Sequence, residues 1–445
     1  MAGANPQFRF SAKAGRTVPQ PINYMLGPIL QREGMISLAA GLVDQQTLPA
    51  SGVARLSGEM LADEPTGRQS LQYGSTAGLP QLRQELLDYL CRLDGLTPEQ
   101  LSLTADNLVV GSGSQQLLYI VTDVLVDPGD IVITAWPSYF VYTATIVSLG
   151  ASVRAVDIDD GGMIPEALAE LLEQLKRGGE LGRVKIVYLC DYFQNPTGIT
   201  LSPERRQRIL EIVRSYSTAD RICLLEDAAY QELSVDGPAV PPTIKSYERD
   251  NAQVVLAKTF SKPFSPGLRL GYAVLPDELV EPVLNQKGNH DFGSSNFLQH
   301  LLLRALRSGL YAEHVPMLRR QYAVKRDAML SALETHLGAE PEGVSWTRPG
   351  GGLYVFLTLP EGMDTGRDAD LFAAALDEGV LYVPGEHCYG PDPRREVPRN
   401  RIRLTFGSVD EPSIAEGVAR LARAIKKVAG KRAPGLGHRT VSETP

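Results

Sequence analysis

The chain has 445 residues, 43% of them apolar and 22% charged, with a formal net charge of −8. This is ordinary globular usage, on a chain long enough for a large core and two domains that fold together. The mild, scattered acidity leaves no basic footprint for nucleic acid, and no apolar run is long enough to span a bilayer.

In chain order, the opening stretch "MAGANPQFRFSAKAGRTVPQP" is polar and lacks the hydrophobic core of a signal peptide, so the cytoplasm is the expected compartment. The first 35 or so residues read as an arm. Seven strands are then predicted: "NLVVG" (107–111), "DIVITA" (130–135), "SVRAVDI" (152–158), "VKIVYLC" (184–190), "RICLLED" (221–227), "AQVVLA" (252–257) and "LGYAVL" (270–275). Most are continuously apolar, as strands buried on both faces are. Segments of helical period lie between many of them, and "SPERRQRILEIVRSYS" opens with a Ser-Pro-Glu helix start. The alternation predicts an α/β fold around a mainly parallel seven-stranded sheet. Beyond about residue 300 come long helices (295–335). Three runs follow, "GVSWTRPGGGLYVFLTL", "GVLYVPGE" and "RIRLTFG", which read as a smaller α+β unit closed by a helix over 410–428.

The four cysteines, Cys91, Cys190, Cys223 and Cys388, lie far apart without a CxxC pair, so neither a zinc site nor a disulfide framework is supported. Cys190 and Cys223 read as small core residues. Glu386, His387 and Cys388 are adjacent, which is not a usual zinc spacing. His290 reads as structural.

Several short motifs fall at strand ends, where open α/β sheets bind ligands. "GSGSQQLL" puts Gly113, Ser114 and Gln115 at a helix start, where backbone N–H groups favour an anion. Alone this is an ordinary helix cap. "DYFQNPTG" forms a turn presenting the Asn195 amide. "LLEDAAYQEL" ends an apolar strand on Asp227, a carboxylate that needs a partner, with Tyr230 three residues on. "TFSKPFSPGLRLG" sets Lys262 among Phe and Pro, beside Thr259, Ser261 and Arg269. A lysine kept from water attacks carbonyls, and serine, threonine and arginine grip phosphate. Each motif alone has a plain structural explanation. Together they meet the needs of an aldehyde cofactor with a phosphate handle and a basic ring nitrogen.

In the order and spacing of "ISLAAGL", "LQYGSTAGLPQLR", "GSGSQ", "WPSY", "NPTG", "EDAAY", "TFSKPFSPGLRLG", "RPGGGLYV", "YVPGE" and "RIRLTF", the chain resembles the fold-type I pyridoxal 5′-phosphate (PLP) enzymes. Within them it resembles the class I/II aminotransferases, in the branch holding 2-aminoadipate and kynurenine aminotransferases. The resemblance implies that Lys262 carries PLP as a Schiff base, with Asp227 on the pyridine nitrogen and Asn195 and Tyr230 on the ring oxygen. Tyr139 would stack on the ring. Gly113, Ser114, Gln115, Ser261 and Arg269, with Thr259 beside them, would hold the phosphate. Tyr73 would reach the phosphate from a second subunit of a homodimer, Arg403 would bind the substrate α-carboxylate, and Gly41 would lie against the substrate. The implied reaction moves an amino group from an L-amino acid to a 2-oxo acid, with no nucleic acid or membrane partner. The expected organisation is an arm and part of the small domain over 1–60, a large PLP-binding domain over 61–310, a small domain over 311–430 and a disordered tail over 431–445.

Relatives that accept acidic side chains carry an arginine in an arm motif "SPIR". The stretch here is "QPINY", with Asn23, which points to a neutral or aromatic donor. The same fold hosts lyases, decarboxylases and racemases, which the Asp–Lys–Asn–Tyr set does not exclude. A transcription regulator with an aminotransferase-like domain would need a DNA-binding segment ahead of the motifs, which begin near residue 37.

Overall fold

The protein is described by a computed structural model, which covers residues 8–21, 32, 34–237, 240–338 and 343–432. Asn23 and the tail from 433 lie outside the described residues. The strands are β1 (Ile36–Ser37), β2 (Leu108–Gly111), β3 (Ile131–Trp136), β4 (Ser152–Asp159), β5 (Gly162–Met163), β6 (Val184–Cys190), β7 (Cys223–Asp227), β8 (Val254–Thr259) and β9 (Gly271–Val274). They are followed by β10 (Ser345–Trp346), β11 (Tyr354–Thr358), β12 (Val380–Leu381), β13 (Val383–Pro384) and β14 (Arg401–Thr405).

The large sheet has the order β2-β9-β8-β7-β6-β3-β4-β5. Pairing is parallel from β8 through β7, β6 and β3 to β4, while β9 runs antiparallel to both its neighbours. The seven long strands are those expected from sequence; the eighth, β5, is a two-residue antiparallel edge. All residues of β2, β7, β8 and β9 are buried, which is why they are written without alternation.

The second sheet has the order β10-β11-β14-β13 and is antiparallel throughout. The run "GVLYVPGE" splits. Val380–Leu381 pairs in parallel with Ile36–Ser37 as a separate two-stranded sheet, and Val383–Pro384 joins β14. Pro384 has no N–H to give, which keeps β13 short and at the sheet edge. Helices Leu310–Leu337 and Glu411–Arg432 pack along each other, the second also against β1 and β12. Among the described residues, no helix is long and apolar enough to cross a membrane.

The sheet's direction builds the site. Strands β2, β3, β6, β7 and β8 all deliver their carboxyl ends to one edge, and β9 returns from it, so the five loops that follow these strands, the β8–β9 connection among them, converge.

Candidate active site

At that edge lies a cavity of about 260 Å³. Gly113 lines it from the turn after β2, Ser114 and Gln115 from the start of the helix that follows, Tyr139 and Asn195 from beyond β3 and β6, Asp227 and Thr259 from the ends of β7 and β8, Tyr230 from just past β7, and Ser261, Lys262 and Arg269 from the β8–β9 connection. Eleven of the fourteen residues singled out from sequence therefore meet in one place.

Asp227 ends β7 and is 3% exposed. Its Oδ2 accepts a hydrogen bond from the Tyr188 hydroxyl at 2.8 Å, while its Oδ1 is buried with no partner. Burial pushes its pKa up to about 7. Asp191 adds to the rise, and the Tyr188 hydroxyl opposes it. A carboxylate in this state calls for a cationic N–H donor in the cavity.

Lys262 is half-buried, and its Nζ donates to the Gly41 carbonyl at 2.8 Å. The same nitrogen lies 6.0 Å from the centre of the Tyr230 ring. Gly41 has no room for a side chain, because a Cβ there would run into the Tyr354 hydroxyl. The Tyr230 hydroxyl lies 3.3 Å from that of Tyr354, and burial drives the Tyr230 hydroxyl well above its usual pKa, so it stays a proton donor.

The anion cradle lies at the start of helix Ser114–Leu125, whose first N–H groups are free to point at a ligand. Gly113 has φ 81°, and a Cβ there would sit 3.1 Å from Arg269 Nη2. Only glycine meets both conditions without strain. Arg269 is held by the Ser112 carbonyl at 3.2 Å and lies 3.5 Å from Ser261 Oγ. The Gln115 Oε1 is buried without a partner. Thr259 Oγ1 accepts from the Ser261 N–H at 3.1 Å, which fixes the turn leading to Lys262.

Arg403 does not line this cavity but touches it through Asn195, whose Oδ1 accepts from Arg403 Nη1 at 2.9 Å. With its oxygen engaged, the Asn195 amide turns its N–H₂ elsewhere. Arg403 also donates to the Ala39 carbonyl at 2.8 Å, lies 4.6 Å from the Tyr354 ring centre and keeps a buried, partnerless Nε.

Tyr73 is not brought to the cavity. It is 83% exposed and meets only the edge of Phe292 among the ring contacts, at 5.7 Å. His290 is exposed beside Tyr119. Among the described residues no His, Cys, Asp or Glu group could hold a metal. A larger cleft of about 610 Å³, lined by Phe193, Thr200 and Trp346, contains none of the residues singled out from sequence.

Tyr188, Tyr354, Val141 and Cys190 went unnoticed in the sequence as site residues. Tyr188 was findable: it is the polar-tipped residue two places before the end of β6, hence on the same face as that end. Cys190 pairs in register with Asp227 and lines the cavity.

The partnerless acceptor on Asp227, the partnerless Gln115 and Arg403 atoms and the helix-start cradle with Arg269 fit a phosphorylated, cationic pyridine ring bearing an aldehyde. Comparison with known proteins agrees. Residues 33–421 match the family described as aminotransferase class I and II. The aromatic-amino-acid aminotransferase 1 of Thermococcus litoralis is 34% identical over 419 residues, covering 94% of each chain. The crystal structure of Pyrococcus horikoshii kynurenine aminotransferase, in complex with PMP, aligns with a TM-score of 0.84 at 33% identity, covering 94% of this chain and 97% of that one. That of LysN, the α-aminoadipate aminotransferase of Thermus thermophilus, complexed with N-(5′-phosphopyridoxyl)-L-leucine, aligns with a TM-score of 0.80 at 30% identity, covering 95% and 98%. The chain belongs to the class I and II aminotransferases, enzymes that use pyridoxal 5′-phosphate.

Proposed function

We propose that this aminotransferase takes the amino group of a neutral or aromatic L-amino acid and passes it to a 2-oxo acid in two half-reactions of a ping-pong sequence. The observation that carries the reading is the buried, partnerless Oδ1 of Asp227 in the same cavity as Lys262.

When bound, the cofactor ring supplies the electron sink for the bond broken at the substrate α-carbon. Asp227 Oδ1 would accept the ring N–H, while the Tyr188 hydroxyl on the other oxygen orients the carboxylate. Asn195 and Tyr230 would donate to the ring oxygen, and Tyr139 would cover a ring face. Ser114, Gln115, Ser261 and Arg269 would hold the phosphate with the Gly113 backbone. Lys262 Nζ would take the proton from the substrate α-carbon and return it. The Gly41 carbonyl orients that nitrogen. Arg403 grips the α-carboxylate with its guanidinium fork.

Within the cavity the described cations are Lys262 and Arg269, both with assigned work, so no cation is left there for a second substrate carboxylate. This supports a neutral or aromatic donor. We place the cofactor on the 61–310 domain and Arg403 on the 311–430 domain, so substrate binding bridges the two. Two copies complete the site, each lending its exposed Tyr73 to the other's phosphate cradle. Four buried, unbridged cysteines suit the reducing cytoplasm.

The test is a half-reaction screen. Each amino acid is added to the holoenzyme without acceptor, and the loss of the bound aldehyde's absorbance is followed. Full conversion by neutral or aromatic donors, with parallel lines in two-substrate kinetics, supports the proposal. Conversion only by dicarboxylic donors, or only when both substrates are present, refutes it.

A further inference from the structure

The loop from Asp191 to Leu201 carries Asn195, and its base is closed by one side chain. Arg206, on the helix that follows, donates from Nε to the Leu201 carbonyl at 3.1 Å and from Nη2 to the Asp191 carbonyl at 3.1 Å. Its Nη1 binds the Asp191 carboxylate and lies 3.4 Å from Glu226 Oε1. The guanidinium stacks 4.1 Å from the centre of the Tyr192 ring. The side chains of Arg206, Asp191 and Glu226 are all 0% exposed, and burial together with Asp191 pushes the Glu226 carboxyl well above its usual pKa. Glu226 also accepts from the backbone N–H groups of Ile244 and Lys245, at 2.7 and 3.0 Å, and directly precedes Asp227.

A buried cluster of this kind is a poor source of stability, because desolvation offsets the attraction and neutral replacements are often as stable. What a guanidinium offers is a rigid fork that reaches several acceptors at fixed angles. Here the acceptors are the two ends of one loop and the end of the neighbouring strand. The side chain of Asn195 is bonded to Arg403. On the reading above, Arg403 engages the substrate carboxylate, and Asn195 must then be held by its loop backbone.

We propose that Arg206 is a positioning residue. It clamps both ends of the Asn195 loop and ties them to the strand end bearing Asp227, so the two groups that face the cofactor ring keep their spacing. The proposal rests on the assignment of Asn195 and Asp227 to the ring.

The test uses the full chain and a neutral triple variant, Arg206→Met with Asp191→Asn and Glu226→Gln, which leaves no unpaired buried charge. In the apoprotein, amide hydrogen exchange over 192–201 should accelerate while strands β3 and β8 exchange as in the wild type. The PLP dissociation constant, titrated into apoprotein, should rise by about tenfold, the loss expected for one charge-assisted hydrogen bond. Turnover number should fall more than KM rises. If the triple variant does not fold, Arg206→Lys, which keeps the charge and loses the fork, is judged by the same readings. Wild-type exchange in the loop with wild-type PLP affinity overturns the proposal. So does acceleration spread evenly over the chain, which marks a merely structural role. Asn195→Ala, titrated with PLP alongside, separates the two claims. Unchanged affinity there refutes the ring assignment, whereas the apoprotein exchange reports on the clamp alone.

Discussion

Replacing Asp227 by asparagine should stabilise the apoprotein at neutral pH while disabling the enzyme. The buried carboxyl has its pKa raised to about 7 from an ordinary value of 3.8. Between about pH 4 and 7 the folded chain therefore keeps a proton that the unfolded chain has lost. Stability falls as pH rises through that window and is level above it. A rise of about 3 units at about 1.4 kcal/mol each places the cost of the ionised group on the order of 4 kcal/mol at pH 8. Asparagine has nearly the same shape, still accepts from Tyr188, and never ionises. Urea denaturation of both apoproteins at pH 5, 6, 7 and 8 isolates this one group, because every other titration cancels in the difference. The variant should gain about 1.5 kcal/mol at pH 5, rising to about 4 kcal/mol at pH 8. With PLP present the order should invert, since only the carboxylate pairs with the ring cation. A pH-independent difference, or a wild type that gains on the variant as pH rises, would refute the argument that desolvation primes this acid for a cation.

Lys262→Ala should abolish turnover, read by 2-oxo acid formation, with the apoprotein fold unchanged by circular dichroism, because the half-buried side chain makes one described hydrogen bond, to Gly41. Arg403→Ala should raise KM for amino and oxo acids by about 10- to 100-fold, the loss of one charge-assisted pair, with a smaller change in turnover number; steady-state kinetics on both substrates measures it. Gly113→Ala places a side chain at φ 81° against Arg269 and should weaken PLP binding and cost about 1–2 kcal/mol of apoprotein stability, read by titration and by melting. Tyr188→Phe removes the hydrogen bond that opposes the rise in the Asp227 pKa, so the apoprotein's pH-dependent loss of stability should extend to higher pH than in the wild type.

The large sheet was legible because its strands are buried on both faces and written as unbroken apolar runs. β6 spans the 184–190 predicted for it, and β7 starts two residues late, at Cys223. The site was legible because chemistry-bearing residues interrupt the pattern where strands end: Glu226 and Asp227 end the apolar run of β7, and Lys262 follows the buried run of β8. The two-residue strands β1, β5 and β12 have no period to detect; β5 folds back on β4, and the pairing of β1 with β12 is fixed by tertiary packing of the arm against Gly379 and Leu381. Arg206 was hidden by its neighbours. In "SPERRQR" it reads as one more solvated charge on a helix face, and only the packing of the 191–201 loop against that helix turns it inward. Tyr354 sits in an apolar strand of the second sheet, and its approach to Gly41 and Tyr230 depends on how the two sheets meet. The place of Tyr73 depends on a second copy of the chain.

The most direct test of the account is to treat the holoenzyme with borohydride, digest it and map the phosphopyridoxyl mass by peptide sequencing. The account predicts one label per chain, on Lys262. A label on Lys258 or any other lysine, or none on a protein that has bound PLP, would contradict it.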